Sequence, residues 1–132
     1  MKRLSAAILA TFVSWLIATL IYLVLTLPLE WSEWFSLVNA VNKIISVALG
    51  HGIYAVLIFV LGLLVSFRGL CVRASVGIMC ITLTAVIFGV TGGDNRLDWL
   101  RAIACWIAAA SMPFTFYAAH SRLSIAREAA AH

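Results

Sequence analysis

The chain has 132 residues, of which 64% are hydrophobic and only 11% are charged, and its net charge is +4. This number of charged side chains is too small to cover the surface of a water-soluble globule of this size. The composition therefore excludes a soluble domain and predicts an integral membrane protein in contact with a lipid bilayer. The nine Lys and Arg residues stand singly or in pairs at the ends of apolar runs, which argues against a nucleic-acid-binding surface.

The first predicted span covers residues 4–27. The uncharged run that contains it is roughly twice as long as the apolar part of a signal peptide, and it ends at Pro28 without an A-x-A-like site. We therefore expect a retained transmembrane helix. Small residues at four-residue steps predict a ridge for close packing against other helices, formed by Ala6, Ala10, Ser14 and Ala18.

Between the first two spans, residues 30–42 alternate aromatic and apolar residues with serine and asparagine. Helical spacing predicts a short amphipathic helix lying in the membrane interface, with one side formed by Trp31, Trp34, Phe35 and Val38. Two interpretations remain open for this segment. It is either a docking surface for a partner or an aromatic belt, in which Trp31 and Trp34 anchor the chain at the interface.

The second predicted span covers residues 44–67, bracketed by Lys43 and Arg68. It is long enough to cross the hydrocarbon core of a bilayer, and its small residues include Gly52 and Gly62 at helical spacing. One side of this helix should therefore admit neighbouring backbones, and we expect the other helices to pack there.

The third predicted span, residues 74–91, follows a tight basic connection at residues 68–73. It is short, and Ala85 and Gly89 stand four residues apart, as expected of a packing face. Residues 92–95, with two glycines followed by Asp and Asn, predict a turn.

The fourth predicted span covers residues 102–119. Trp99 lies just before it and is predicted to anchor the helix at the outer boundary of the membrane. Pro113 lies inside it and predicts a kink, because proline removes one backbone hydrogen bond from a helix.

The distribution of basic residues predicts the orientation. Cytoplasmic segments are enriched in Lys and Arg, and six such residues fall on one side against three on the other. The six are Lys2, Arg3, Arg68, Arg73, Arg122 and Arg127, and the three are Lys43, Arg96 and Arg101. The sequence therefore predicts one all-α domain, residues 1–132, with four spans and both termini cytoplasmic, in a bacterial inner membrane.

His51 is the candidate functional polar residue, because an ionisable group within a span is costly to bury and often marks a functional site. Three interpretations remain open: a neutral ring in a hydrogen-bonding niche, a proton-relay or gating residue, or a metal or haem ligand. Two histidines of one chain cannot ligate the same haem, because roughly 24 Å of helix separates His51 from the level of His120. We predict no metal site and no cofactor.

Catalytic arrangements are absent from the sequence, since no nucleophile stands beside a base and no carboxylate lies within a span. The three cysteines are unevenly spaced and predict packing residues. We therefore expect a small non-enzymatic subunit or scaffold within a larger inner-membrane complex of the secretion, conjugation or transport type. Its partners would be other membrane subunits or copies of itself. The alternative is a homo-oligomeric transporter or channel that uses His51 in a proton-linked or gating role.

Overall fold

The structure, a computed structural model, describes residues 2–88 and 96–132. Within these residues the fold is all-helical, as predicted, with four α-helices and no strand. The elements are α1 (Lys2–Thr26), a 3₁₀ helix (Trp31–Phe35), α2 (Leu37–Leu64), α3 (Leu70–Phe88) and α4 (Arg96–Ala130). Three of them, α1, α2 and α4, are long and apolar enough to cross a membrane, whereas the apolar part of α3, Leu70–Val86, is shorter. These three helices indicate a membrane protein.

The segment between α1 and α2 differs from the single amphipathic helix that the sequence suggests. Its first part is the five-residue 3₁₀ helix, and Ser36 then adopts an extended conformation, with φ −99° and ψ 121°. From Leu37 onward the chain is already α2, since the amide of Ala40 donates to the carbonyl of Ser36 at 2.9 Å. No proline or glycine interrupts residues 37–49, so the polar residues there extend the spanning helix instead of forming a separate one.

The connection between α2 and α3 also lies earlier than predicted. Val65 is extended and closes α2, its amide donating to the carbonyl of Leu61 at 2.7 Å. The connection is residues 65–69, and Arg73 already belongs to α3 because its amide donates to the carbonyl of Gly69 at 3.2 Å. The predicted turn at residues 92–95, and Gly89 with it, lie outside the described residues.

The α1–α4 pair forms the centre of the bundle. These two helices share the most extensive contacts in the described residues, α2 packs mainly on α1, and α3 packs on α4. The sequence instead suggested α2 as the helix on which the others pack. Small buried side chains explain the observed pairing, because they let two backbones approach closely. They are Ala6, Ala7, Ala10, Ser14 and Ala18 on α1, and Ala102, Ala104, Ala108 and Ala109 on α4.

Two polar contacts show that α1 and α4 run antiparallel. At one end, Arg127 Nη1 donates to Ser5 Oγ at 2.8 Å. At the other, Arg101 Nε lies 2.6 Å from Oε1 of Glu30, just after α1. We call these the terminal end and the Glu30 end of the bundle. The start of α1 and the last turns of α4 therefore lie together.

Glycines allow two further close approaches to α4. A methyl group added at Gly62 of α2 would lie 2.5 Å from Cζ of Phe116, and one added at Gly77 of α3 would lie 3.4 Å from the carbonyl oxygen of Ala110. Phe67, from the connection, also packs edge-on against Phe116, with ring centroids 5.4 Å apart. α4 therefore contacts all three other helices.

Candidate functional site

A buried carboxylate ties the bundle together at the Glu30 end. Only 7% of Glu30 is exposed, and it forms ion pairs with Lys43 at the start of α2 and Arg101 near the start of α4. Arg101 also lies 3.6 Å from the more exposed carboxylate of Asp98. Because these two acids and two bases neutralise one another, the cluster holds the α1–α2 connection, α2 and α4 together without net charge.

The turn after α1 explains how Glu30 comes to lie there. The amides of Leu29 and Glu30 both donate to the carbonyl of Thr26, at 3.0 and 3.1 Å. Pro28 has no amide hydrogen and cannot continue the helix, so the chain turns back over the end of α1. The turn directs the Glu30 side chain into the bundle and toward the two cations.

His51 lies two helical turns after Lys43 in α2 and is buried, with 4% of its surface exposed. Its Nδ1 lies 2.8 Å from the carbonyl oxygen of Val47. Because a carbonyl can only accept, Nδ1 carries the hydrogen and, in the neutral ring, Nε2 has a free lone pair. This Nε2 is buried with no hydrogen-bond partner among the described residues. The rings of Tyr22 and Tyr54 flank it, with centroids at 5.8 and 6.1 Å.

Tyr54 of α2 forms a hydrogen bond with a buried threonine of α3. Its hydroxyl donates to Oγ1 of Thr84 at 2.5 Å, and that hydroxyl donates in turn to the carbonyl of Cys80 at 2.8 Å. All three residues are fully buried. This pair ties α2 to α3, which otherwise share little contact in the described part of the chain.

These groups form a column, which we call the polar column and define as Tyr22, His51, Cys105, Tyr54 and Thr84. It begins beside the Glu30 cluster, since Tyr22 lies near both Arg101 and Cys105. Tyr54 likewise lies near Cys105, so all four helices contribute a side chain. The column contains one imidazole, one thiol and three hydroxyl groups but no carboxylate. Such a set can hold water or pass a proton, and it lacks the anionic ligands that a hard cation requires.

Metal binding finds no support in the described residues, where no three His, Cys, Asp or Glu side chains converge. The three cysteines are unpaired thiols in these residues, with Cys80 buried, Cys105 half-buried and Cys71 exposed. A covalent or redox role for them has no second residue to support it.

The predicted packing residues occupy different environments. The α1 ridge, Ala6 to Ala18, is buried, and Gly62 faces Phe116 across a close contact. At Gly52, by contrast, an added methyl group would meet nothing within 4 Å. Ala85 is half-buried, and Gly89 is outside the described residues. Whether any of them binds a partner stays a prediction.

The predicted anchors and kink also differ in their surroundings. Trp31 and Trp99 are exposed, whereas Trp34 is half-buried, with the Lys43 ammonium 5.8 Å from its ring centroid. Pro113 is buried inside α4, and the helix continues through it. The roles of the tryptophans as anchors, and the kink, stay predictions.

The residues that lie beside His51 were not predicted from the sequence. Tyr54 follows it by one helical turn, which was a sufficient signal for a shared face. On α3 the buried face runs through the adjacent pair Val76 and Gly77 and then through Cys80 and Thr84, each three or four residues further on. This pattern is also present in the sequence, whereas the predicted packing residues of this span are Ala85 and Gly89.

Two shallow apolar grooves flank α1. One, of about 400 Å³, lies between α1 and α4, and the other, of about 270 Å³, lies between α1 and α2. The first is lined by Ile17, Leu20, Ile21, Val24, Leu25 and Ile107. The second is lined by Ile8, Thr11, Ala55, Val56 and Phe59. Neither groove is lined by a residue of the polar column.

Comparisons with protein-family models, curated proteins and solved structures found no match. Any statement about function therefore rests on two features of the chain itself. One is the polar column inside the bundle, and the other is the set of helix surfaces that the chain leaves uncovered.

Proposed function

We propose that the protein is a small non-enzymatic subunit or scaffold of a larger inner-membrane complex of the secretion, conjugation or transport kind. The observation that carries this proposal is the uncovered glycine surface of α2. This surface is the one around Gly52, where an added methyl group would meet nothing within 4 Å; Gly50 is equally open but, two residues away, it faces nearly the opposite side of the helix. Glycine on a transmembrane helix gains nothing from lipid but lets a second helix approach closely. Another membrane subunit, or a second copy of this chain, would pack on this surface.

The two grooves beside α1 support the same proposal. Both are open and almost entirely apolar, so each has the shape that receives a row of side chains from a neighbouring helix. One of them lies between α1 and α2, the helix that carries the glycine surface. A partner seated there would therefore contact two helices.

Four spans with both termini cytoplasmic are part of this proposal. The α2–α3 connection follows the end of α2 at the terminal end, and α4 begins near the Glu30 end, so α3 has to return the chain between the two. The terminal end carries Arg68, Arg73 and Arg122, which favours the cytoplasm. The 3₁₀ helix would then lie at the outer interface.

Complex size in native membranes tests the proposal. Gly52→Leu should release the partner or dissociate copies of the chain, because leucine fills the close contact that glycine leaves open. Val86→Leu is the matched control, since Val86 of α3 is 76% exposed and lines neither groove. Blue native electrophoresis of mildly solubilised membranes measures the outcome. A wild-type chain that migrates as a lone monomer would sink the proposal.

The polar column favours a second candidate function. The protein would then be a homo-oligomeric transporter or channel in which His51 has a proton-linked or gating role. The observation behind it is the buried Nε2 without a partner in the described residues. Reconstitution separates the two candidates. A purified homo-oligomer that conducts in liposomes would favour this second function over the subunit.

A further inference from the structure

The two ends of the bundle differ in how the cations of the described residues are paired. At the Glu30 end, Lys43 and Arg101 pair with Glu30. At the terminal end, Arg68 and Arg73 form no ion pair with any described residue. A cation at a membrane boundary without a carboxylate is stabilised by interfacial water or by an anion from outside the chain.

Arg73 is the most constrained of these cations. Its guanidinium carbon lies 4.4 Å from the ring centroid of Tyr117 and 5.7 Å from that of Phe114. The side chain is half-buried, and its Nε is fully buried without an acceptor among the described residues. Two aromatic rings of α4 therefore fix the guanidinium plane while its hydrogen-bond donors remain unmatched.

The depth of this site increases the need for an anion. Sixteen residues of α4 separate Arg101 from Tyr117, which is about 24 Å of helix. A hydrocarbon core is about 30 Å thick. With Arg101 at the outer boundary, Arg73 lies slightly within the inner boundary, where water is scarce and an unpaired charge is costly.

We propose that Arg73 binds the phosphate of one anionic phospholipid headgroup, with Arg68 of the preceding connection as the second cation. Guanidinium groups bind phosphate through two parallel hydrogen bonds, and the Tyr117 face positions Arg73 for such a pair. The neighbouring surface fits acyl chains, because Leu70 and Phe114 beside the site are exposed. An acidic peptide would fit the charge but not this apolar surface.

Native mass spectrometry of the full chain in mild detergent tests the site. The probes are phosphatidylglycerol and phosphatidylcholine, which share acyl chains and differ in net charge. We expect the wild type to retain phosphatidylglycerol in preference, and Arg73→Gln to reduce that retention about tenfold, the loss expected for one charge-assisted pair. Arg122→Gln removes the same charge from an exposed residue at the same end and should change retention less than about twofold.

Three controls keep the test decisive. The unfolding temperature in detergent without added lipid should be the same for Arg73→Gln and wild type. If Arg73→Gln does not fold, Arg68→Gln at an exposed position replaces it, with a smaller expected loss of phosphatidylglycerol retention. Inorganic phosphate should not displace the lipid, because the acyl chains contribute to binding. Displacement by inorganic phosphate would identify a soluble anion instead. Equal retention of both lipids, or equal losses in the Arg73 and Arg122 variants, would overturn the proposal.

Discussion

Gly62 and Gly52 lie on the same helix in opposite situations, so they make a matched pair. Gly62→Ala places a methyl group 2.5 Å from Phe116, which cannot easily yield because it is buried between Phe67 and His120. We expect destabilisation of about 1–3 kcal/mol. Gly52→Ala meets open space and should leave stability unchanged or slightly raised. Thermal unfolding in detergent measures both. Equal losses would contradict the close contact at Phe116.

His51 separates a structural role from a proton-linked one. His51→Gln keeps a donor and an acceptor but cannot titrate near neutral pH. Because Nδ1 already donates to the Val47 carbonyl, an amide nitrogen can take over that bond, so we expect assembly and activity to survive. Expression, oligomeric size and the pH dependence of activity are the measurements. Normal assembly with lost activity would instead assign His51 a proton-linked role.

A single functional candidate could be predicted from the sequence where the free-energy cost of burying it is evident from its neighbours in the chain. An imidazole inside an apolar run is visible as an anomaly, and the structure does place His51 in a buried position. Glu30 lies outside the apolar run, and only the turn over the end of α1 brings its side chain inward. Its burial depends on the position of Lys43 and Arg101, which no local pattern specifies.

The Glu30 cluster joins three segments, so its loss should loosen all of them together. Glu30→Gln keeps the shape but leaves Lys43 and Arg101 without a carboxylate. A fully buried pair costs about 3–5 kcal/mol to break, and partial exposure of Arg101 reduces this to about 2 kcal/mol. Asp98→Asn is the control, because that exposed carboxylate is 3.6 Å from Arg101 and should contribute less than about 0.5 kcal/mol. Thermal unfolding of the Glu30→Gln and Asp98→Asn variants measures the difference. Equal losses of stability would argue against a stabilising role for the Glu30 cluster.

Helices were easier to predict than their limits. Each apolar run became a helix because lipid or core burial and internal hydrogen bonds both favour it. The limits moved where polar residues carry no signal to stop, as at residues 37–43, which continue α2. Extended Ser36 and Val65 set two of the real boundaries. Serine is a common N-cap residue, although the Ser36 side chain makes no capping hydrogen bond, whereas valine does not mark a helix end by itself.

Orientation of the whole bundle gives a prediction for intact cells. Cys71, Cys80 and Cys105 are first replaced, so that single cysteines can be introduced. An impermeant thiol reagent should then label Ser32→Cys and miss Ser124→Cys, because the positive-inside rule puts the terminal end in the cytoplasm. Detection of labelled protein on a gel is the measurement.

The opposite labelling pattern would reverse the orientation without changing the fold. Labelling of both positions from outside would be more serious. It would separate the two chain ends across the membrane and contradict the contact between Ser5 and Arg127.

Which helices pair could not be predicted from the sequence. Small residues at helical spacing occur on α1, α2 and α3. Such a ridge indicates that another helix can pack closely, but it does not specify which helix that is. The alanines of α4, such as Ala108 and Ala109, supply the matching surface for α1. That match exists only after the chain has folded back on itself three times.

The antiparallel α1–α4 pair has a consequence for synthesis. Residues 27–95 separate the two helices, so at about 5–20 residues per second the ribosome needs on the order of ten seconds to deliver α4 after α1 is complete. During that interval the alanine face of α1 is in the bilayer without its partner. Until α4 arrives, we expect this small-residue face to be open to pairing with another helix, including the same face of a second nascent chain. The last helix to emerge closes the bundle.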